Sequence, residues 1–138
     1  MENKKLSKKE LLAIADKARE NSYSPYSNIS VGAALLTEDG KVYSGTNFEN
    51  VAYSHTICAE RAAFAAAISA GERHFSAIAV AGGKAGAARE ALFPPCGACR
   101  QVMAEFCSGD FEVILSEDEV VKLSELLPLE FNFDGKDL

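Results

Sequence analysis

The chain has 138 residues, 48% of them apolar and 25% charged, and a net charge of −6. That length suits one ordinary domain able to bury about two-thirds of its unfolded surface. No apolar run nears the roughly 20 residues that a bilayer span needs. A chain that neutralises phosphates would carry a basic surface rather than an acidic one. Neither a membrane nor nucleic acid is therefore expected as a partner.

Residues 1–5 are polar and lead into a helical pattern, not an apolar export segment, which predicts a cytoplasmic protein. Its four cysteines then read as reduced thiols, and the C-x-x-C at 96–99 as metal-binding or redox-active. Ser7 and Glu10 match the two ends of a capping box. Leu11, Leu12, Ile14, Ala15 and Ala18 follow at helical spacing, predicting a helix over 8–20. Asn21-Ser22-Tyr23-Ser24-Pro25-Tyr26-Ser27-Asn28 is turn-rich and ends it. Residues 31–37 are β-compatible, 41–48 alternate, and Asp39-Gly40 predicts a tight hairpin between them. Asn47 and Glu49 follow two apart, on one face.

A loop at 52–56 delivers Cys58 to an alanine-rich helix that runs to Ala70 and stops at Gly71. Beyond it the pattern predicts a buried strand at 75–81, a loop at 82–88, a helix at 97–106 and a strand at 111–116. A short amphipathic helix at 120–127 and a tail at 128–138 with Phe131 and Phe133 complete the chain. Strands alternating with helices after an initial hairpin predict an α/β fold, with a mixed sheet covered by helices on both faces. Residues 1–138 read as a single domain.

Two stretches carry chemistry. Thr56-Ile57-Cys58-Ala59-Glu60-Arg61 holds a thiol, a carboxylate and a guanidinium. Along a regular helix, positions 60 and 61 point about 200° and 300° away from position 58. The three converge only on a target off the helix N-terminus, where free N–H groups favour anions. Pro95-Cys96-Gly97-Ala98-Cys99-Arg100 supplies two more thiols at i and i+3. With Cys58 they make three thiolates and leave one of zinc's four positions open, as in a catalytic site. Three thiolates and Zn²⁺ sum to −1, which weakens the metal as a Lewis acid. Two helix N-termini and Arg61 offset that charge, and Arg100 is a further candidate. Glu60 beside the open position can move the proton of a water there.

Plainer readings exist. A thioredoxin-like redox pair would follow the first strand of its fold, whereas this C-x-x-C comes late. Cys107 could join a closed structural site, but it ends its helix about 12 Å from Cys99 and reads as a small buried hydrophobe. Glu60 alone would be a routine first-turn helix acid.

The combination of C-A-E at 58–60 with P-C-G-A-C-R-Q at 95–101 resembles the zinc-dependent cytidine deaminase family. The match is to its small homotetrameric form, where cysteine replaces the histidine ligand of other deaminases. It extends through Ser24-Pro25-Tyr26-Ser27, Val31-Gly32-Ala33-Ala34-Leu35, Asn47-Phe48-Glu49-Asn50 and Glu125-Leu126-Leu127-Pro128. The resemblance implies a three-layer αβα sandwich with a mixed five-stranded sheet. It implies one Zn²⁺ per chain on Cys58, Cys96 and Cys99, with Glu60 as proton shuttle and Arg61 tuning the charge. The backbone of Ala59 and of residues 95–96 would meet the pyrimidine edge, and Asn47 and Glu49 would hold the ribose 3′-hydroxyl. Tyr53 and Phe131 match positions through which neighbouring subunits of a homotetramer complete each other's sites.

An amide and a carboxylate on one strand face suit a neutral sugar alcohol, and no phosphate cradle is visible. A free nucleoside is therefore the expected substrate. The implied reaction converts cytidine and deoxycytidine to uridine and deoxyuridine. Two residues depart from the family pattern. Ile29-Ser30 stand where Phe-Pro is common, removing a stacking contact worth about 0.5–1.5 kcal/mol. Val51 replaces a smaller alanine. The Ile29 departure keeps a related aminopyrimidine nucleoside as an alternative substrate. A zinc-stabilised interaction domain, its zinc coordinatively closed, is the non-enzymatic rival.

Overall fold

The computed structural model describes residues 6–132; residues 1–5 and Phe133 lie outside them. Helix α1 (Lys8–Ala18) begins as its sequence dictates. Ser7 Oγ accepts from the Glu10 N–H at 3.1 Å, and the Glu10 carboxylate accepts from the Ser7 N–H at 3.0 Å. A 3-10 turn, Arg19–Asn21, tightens the end of the predicted helix. Strands β1 (Ile29–Thr37) and β2 (Val42–Thr46) form the predicted antiparallel hairpin. Its turn holds Gly40 at φ +93°, a conformation that costs glycine little. Helix α2 (Ala59–Ser69) closes at Gly71, with Gly71 N–H bonded to Ile68 O and Glu72 N–H to Ala67 O, a Schellman closure.

The described residues form a five-stranded mixed sheet in the order β2-β1-β3-β4-β5. Strand β3 (Phe75–Lys84) lies antiparallel to β1 and parallel to β4 (Glu112–Ile114), and β5 (Val120–Lys122) adds an antiparallel edge. Side-chain alternation along β1 and β3 feeds two layers. Ala34, Leu36, Ala77 and Ala79 meet Leu11, Leu12 and Ala15 of α1. Ala33, Leu35, Ile78 and Val80 meet Ala63, Phe64 and Ala67 of α2 and Met103 of α3 (Gly97–Phe106). The result is the expected three-layer αβα sandwich.

Two expected elements differ. Residues 82–84 are strand, not loop: Gly82, Gly83 and Lys84 pair with Val31, Ser30 and Ile29. Glycine here admits a neighbour and does not break the strand, because a Cβ on Gly82 would lie 2.5 Å from the Phe93 ring. Residues 120–127 are not one helix. Val120 and Val121, β-branched and suited to a pleated edge, pair with Ile114 and Val113, and only Leu123–Leu126 forms α4. The strand predicted at 111–116 is correspondingly shorter, although Phe111 and Leu115 flank it buried.

Arg19, which nothing in the local sequence singles out, is 7% exposed and joins three segments. Its Nε donates to Ser30 O and Oγ at 3.0 and 3.2 Å, Nη1 to Asp16 at 3.0 Å, and Nη2 to Lys84 O and Ala87 O at 3.1 and 3.2 Å. The start of β1 and the end of β3 are thereby held together. Close approach matters equally on the same face, where a Cβ on Gly32 would lie 1.8 Å from Ala15 O. Gly32→Ala must push α1 off the sheet and should destabilise the fold by about 3 kcal/mol, at the upper end of overpacking costs. The urea midpoint measures this, and an unchanged midpoint would mean that α1 does not pack as described.

Candidate metal centre

Cys58 is the N-cap of α2 and Cys96 the N-cap of α3, both with extended backbone, so both thiols lie ahead of helix starts rather than on helix sides. That placement resolves the angular problem of the 58–61 stretch. Cys58 precedes the helical spiral, and Glu60 in the first turn reaches the same side. Cys99 joins from the first turn of α3 and is fully buried. Cys58 Sγ lies 3.7 Å from Cys96 Sγ, and Cys96 Sγ lies 3.4 Å from Cys99 Sγ. All three sulfurs are within 4.8 Å of one another. Zinc–sulfur bonds of about 2.3 Å in a tetrahedron set sulfurs about 3.8 Å apart, so the donor set fits one zinc ion with a position to spare. Cys107 packs against the core at the far end of α3, where burial pushes its thiol up to about 12.

Electrostatics distinguish the groups. The Cys58 thiol is drawn down to about 5, first by a hydrogen bond from Cys99 and then, against the cost of burial, by Arg61 and Cys96. The same Cys99–Cys58 contact, together with burial, pushes Cys99 strongly upward. Arg61 Nη2 stands 3.7 Å from Cys58 Sγ and donates to Thr56 O at 3.2 Å. Its Nε is buried with no hydrogen-bond partner among the described residues. Glu60 is only 4% exposed, and burial pushes its carboxyl up to about 7. A carboxylate with that value gives up and takes back a proton near neutral pH, which is what a shuttle requires.

Arg100, the further candidate for offsetting the thiolate charge, is held by two backbone carbonyls. Its Nε donates to Pro95 O and its Nη1 to Leu126 O, both at 2.8 Å.

Asn47 and Glu49 both turn toward the 22–29 loop. Asn47 Oδ1 accepts from Val31 N–H at 2.8 Å and Ser22 Oγ at 2.7 Å, and Nδ2 donates to Ile29 O at 2.9 Å. Glu49 accepts from the Tyr26 and Ser27 N–H groups at 2.9 and 3.2 Å and from the Ser27 hydroxyl, which holds its carboxyl below the usual carboxylate range. Ser27 also accepts from the Ile29 N–H at 3.0 Å. This supporting role went unread in the sequence, although Pro-Tyr-Ser followed by Asn28 at φ +60° carries a turn signature.

Tyr26, Ser27, Glu49, Tyr53 and Thr56 line a cavity of about 410 Å³. Tyr26 and Tyr53 stack edge to face at 5.6 Å. Ile29 is half-buried against the cluster that contains Ala59 and Cys99, and so sits on the thiol side of the sheet. Ala59 is fully buried at the first position of α2. Tyr53 and Phe131 are 71% and 67% exposed, and Gln101 Nε2 holds the Phe131 carbonyl at 3.0 Å.

The zinc-binding region of cytidine and deoxycytidylate deaminases, as a family, matches residues 5–115. Cytidine deaminase of Sporosarcina psychrophila is 51% identical over 126 residues, covering 88% of this chain and 89% of that protein. Its counterpart in Halalkalibacterium halodurans is 48% identical over 122 residues, covering 86% and 89%. The crystal structure of cytidine deaminase from Burkholderia pseudomallei superposes with a TM-score of 0.83 at 44% identity. It covers 91% of this chain and all of that one.

Single replacement of Cys58, Cys96 or Cys99 by alanine should lower zinc from one ion per chain to near none, measured by metal analysis after gel filtration. Cys107→Ala should leave the zinc content unchanged. Full zinc content in any of the three variants would remove that thiol from the ligand set.

Proposed function

This chain belongs to the cytidine deaminase family, and on that premise we propose that residues 1–138 act as one catalytic domain that hydrolyses cytidine and deoxycytidine to uridine and deoxyuridine, releasing ammonia. The observation that carries this is the conjunction of three converging thiols with a buried carboxyl held near neutral pKa.

Zinc, when bound by Cys58, Cys96 and Cys99, supplies the Lewis acidity that makes water a nucleophile at neutral pH. The remaining work falls to the chain's own groups. Glu60 accepts the proton of the water that attacks C4, delivers it to N3, and then relays a proton to the departing amino nitrogen. Arg61 and the free N–H groups of the two helix starts lower the cost of gathering three thiolates. The backbone of Ala59 and of residues 95–96 meets the amide-like edge of the base, and Ile29 gives it an aliphatic wall.

Asn47 and Glu49 meet the sugar. Both lone-pair sites of Asn47 Oδ1 are occupied by protein donors, so toward a ligand Asn47 offers its remaining Nδ2 proton. Glu49 offers only acceptors. A hydroxyl, which both donates and accepts, satisfies this pair, whereas a phosphate would face a carboxylate.

Apolar exposure supports self-association as a homotetramer. Tyr23, Tyr26, Phe48, Val51 and Tyr53 are exposed around the loops that frame the cavity, and Phe131 is exposed on the C-terminal segment. In that arrangement Tyr53 and Phe131 of one subunit complete the site of another. No helix among the described residues is long and apolar enough to cross a membrane, and the free thiols suit a reducing cytoplasm. The net charge of −6 weighs against a polyanionic partner.

The aliphatic Ile29 favours one second reading, that a related aminopyrimidine nucleoside is the better substrate. Relative rates across a panel of such nucleosides decide between the two.

Absorbance and ammonia release with cytidine test the activity itself. Glu60→Gln should retain one zinc per chain and the wild-type melting temperature while kcat falls by at least about 1,000-fold. A fall below tenfold would remove Glu60 as the shuttle. Cytidine 3′-phosphate should show kcat/KM about 100-fold below cytidine, the scale of one like-charge contact. Equal values would contradict the sugar-binding assignment of Glu49.

A further inference from the structure

Arg100 directs its guanidinium at two carbonyls that belong to different parts of the molecule. Pro95 O immediately precedes Cys96, and Leu126 O lies in the last residue of α4, 26 positions away. The start of α4 is held by the buried Leu123 and by the Leu123 and Ser124 N–H groups on Phe111 O and Gly109 O, and Arg100 holds its other end. Pro94 and Pro95 have no N–H, so their carbonyls are the only backbone groups by which that segment can be hydrogen-bonded. Pro95 is buried, whereas Cys96 is exposed. Helix α4 has four residues, too few to persist alone, and its terminal carbonyls need outside donors. A cation at that end satisfies them and complements the helix dipole. The next residue, Gln101, holds the same C-terminal segment at Phe131 O, 3.0 Å away. Meanwhile the Arg100 N–H bonds Cys96 O at 3.0 Å. Arg100 therefore grips residues 95 and 96 from its side chain and backbone together.

We propose that Arg100 is a positioning residue that couples retention of zinc to the order of the C-terminal segment 123–131. The inference rests on the reading of Cys96 as a zinc ligand. The guanidinium is planar and rigid, so its Nε and Nη1 bonds are made together only when both carbonyls are in place. Zinc drawn onto Cys96 fixes Pro95 O, which orients the fork toward Leu126 O. Order in α4 in turn holds the fork on Pro95 O and keeps Cys96 on the metal. Such coupling is reciprocal by thermodynamic necessity.

A merely structural Arg100 would stabilise α4 to the same extent with or without metal, and that difference is measurable. Hydrogen exchange of the full chain, zinc-loaded and chelator-stripped, reads it at the Leu127 amide, which bonds Leu123 O at 2.8 Å. In the wild type, zinc should slow that exchange about tenfold, the scale of one charged hydrogen bond. In Arg100→Gln the zinc dependence should vanish, and zinc transfer to a chromophoric chelator should run about tenfold faster. Arg100→Lys, which cannot span both carbonyls, should fall between the two and carries the test if the glutamine variant does not fold. Gln101→Ala should loosen only the Phe131 end and release zinc at the wild-type rate. Exchange raised equally with and without zinc, or zinc release unchanged, would overturn the proposal. Neither readout involves deamination. A chain that holds zinc but leaves cytidine untouched therefore defeats the proposed function alone, and an active chain without zinc-dependent exchange defeats this inference alone.

Discussion

Two helix starts meeting at one point is the constraint on which this molecule depends. Each begins with a cysteine as N-cap, and neither cysteine side chain bonds the free N–H groups that a serine or aspartate would satisfy there. Local helix stability is given up so that two sulfurs face one another across less than 4 Å. What recovers it is packing: α2 and α3 lie on one face of the sheet with Phe64 and Met103 in a common core. The field of both helix ends then falls on the thiolates, where it is useful. Arg61 adds a full positive charge at the same place, and Glu60 is buried beside it; that burial, with the neighbouring Cys58 thiolate, raises its pKa despite the Cys99 hydrogen bond and the Arg61 charge.

The sheet serves that meeting point from behind. Strand β1 is gripped at its first residues from several directions. Ser27 takes the Ile29 N–H, Asn47 takes Ile29 O and Val31 N–H, and Arg19 takes Ser30 O and Oγ. Residue 30 illustrates the value of departing from Phe-Pro, since the serine hydroxyl is an acceptor that proline lacks. The end of β3 is held by the same Arg19, and Phe93 seats on Gly82 on the way to Pro95. The Ser27 and Glu49 side chains that line the cavity are thus tied by hydrogen bonds to the loop that leads into β1.

The legible and the illegible parts of the chain divide by range. The capping box of Ser7 and Glu10, the Asp39-Gly40 turn and the Gly71 stop depend on neighbours a few residues away, and the sequence displays them directly. Three thiols with metal spacing are equally readable, because zinc restricts its ligands to few residue types. Gly82 and Gly83 misled because their smallness admits Phe93 and Arg19, partners that no local pattern announces. Val120–Lys122 misled because three residues are too few to show a period. Arg100 looked like a charge beside the thiols, yet its position is set by a carbonyl 26 residues away. Asn47 and Glu49 were legible as a pair, but not the loop hydrogen bonds that leave one a donor and the other an acceptor.

The central claim is a zinc centre of three thiolates with one position left for water beside Glu60. X-ray absorption at the zinc edge on the purified, zinc-loaded chain tests it most directly. Three sulfur scatterers at about 2.3 Å and one lighter oxygen or nitrogen scatterer at about 2.0 Å are expected. The single lighter scatterer should change when a transition-state analogue of the hydrated pyrimidine is added. Four sulfurs, with a spectrum indifferent to that analogue, would mean a closed structural site and contradict the account.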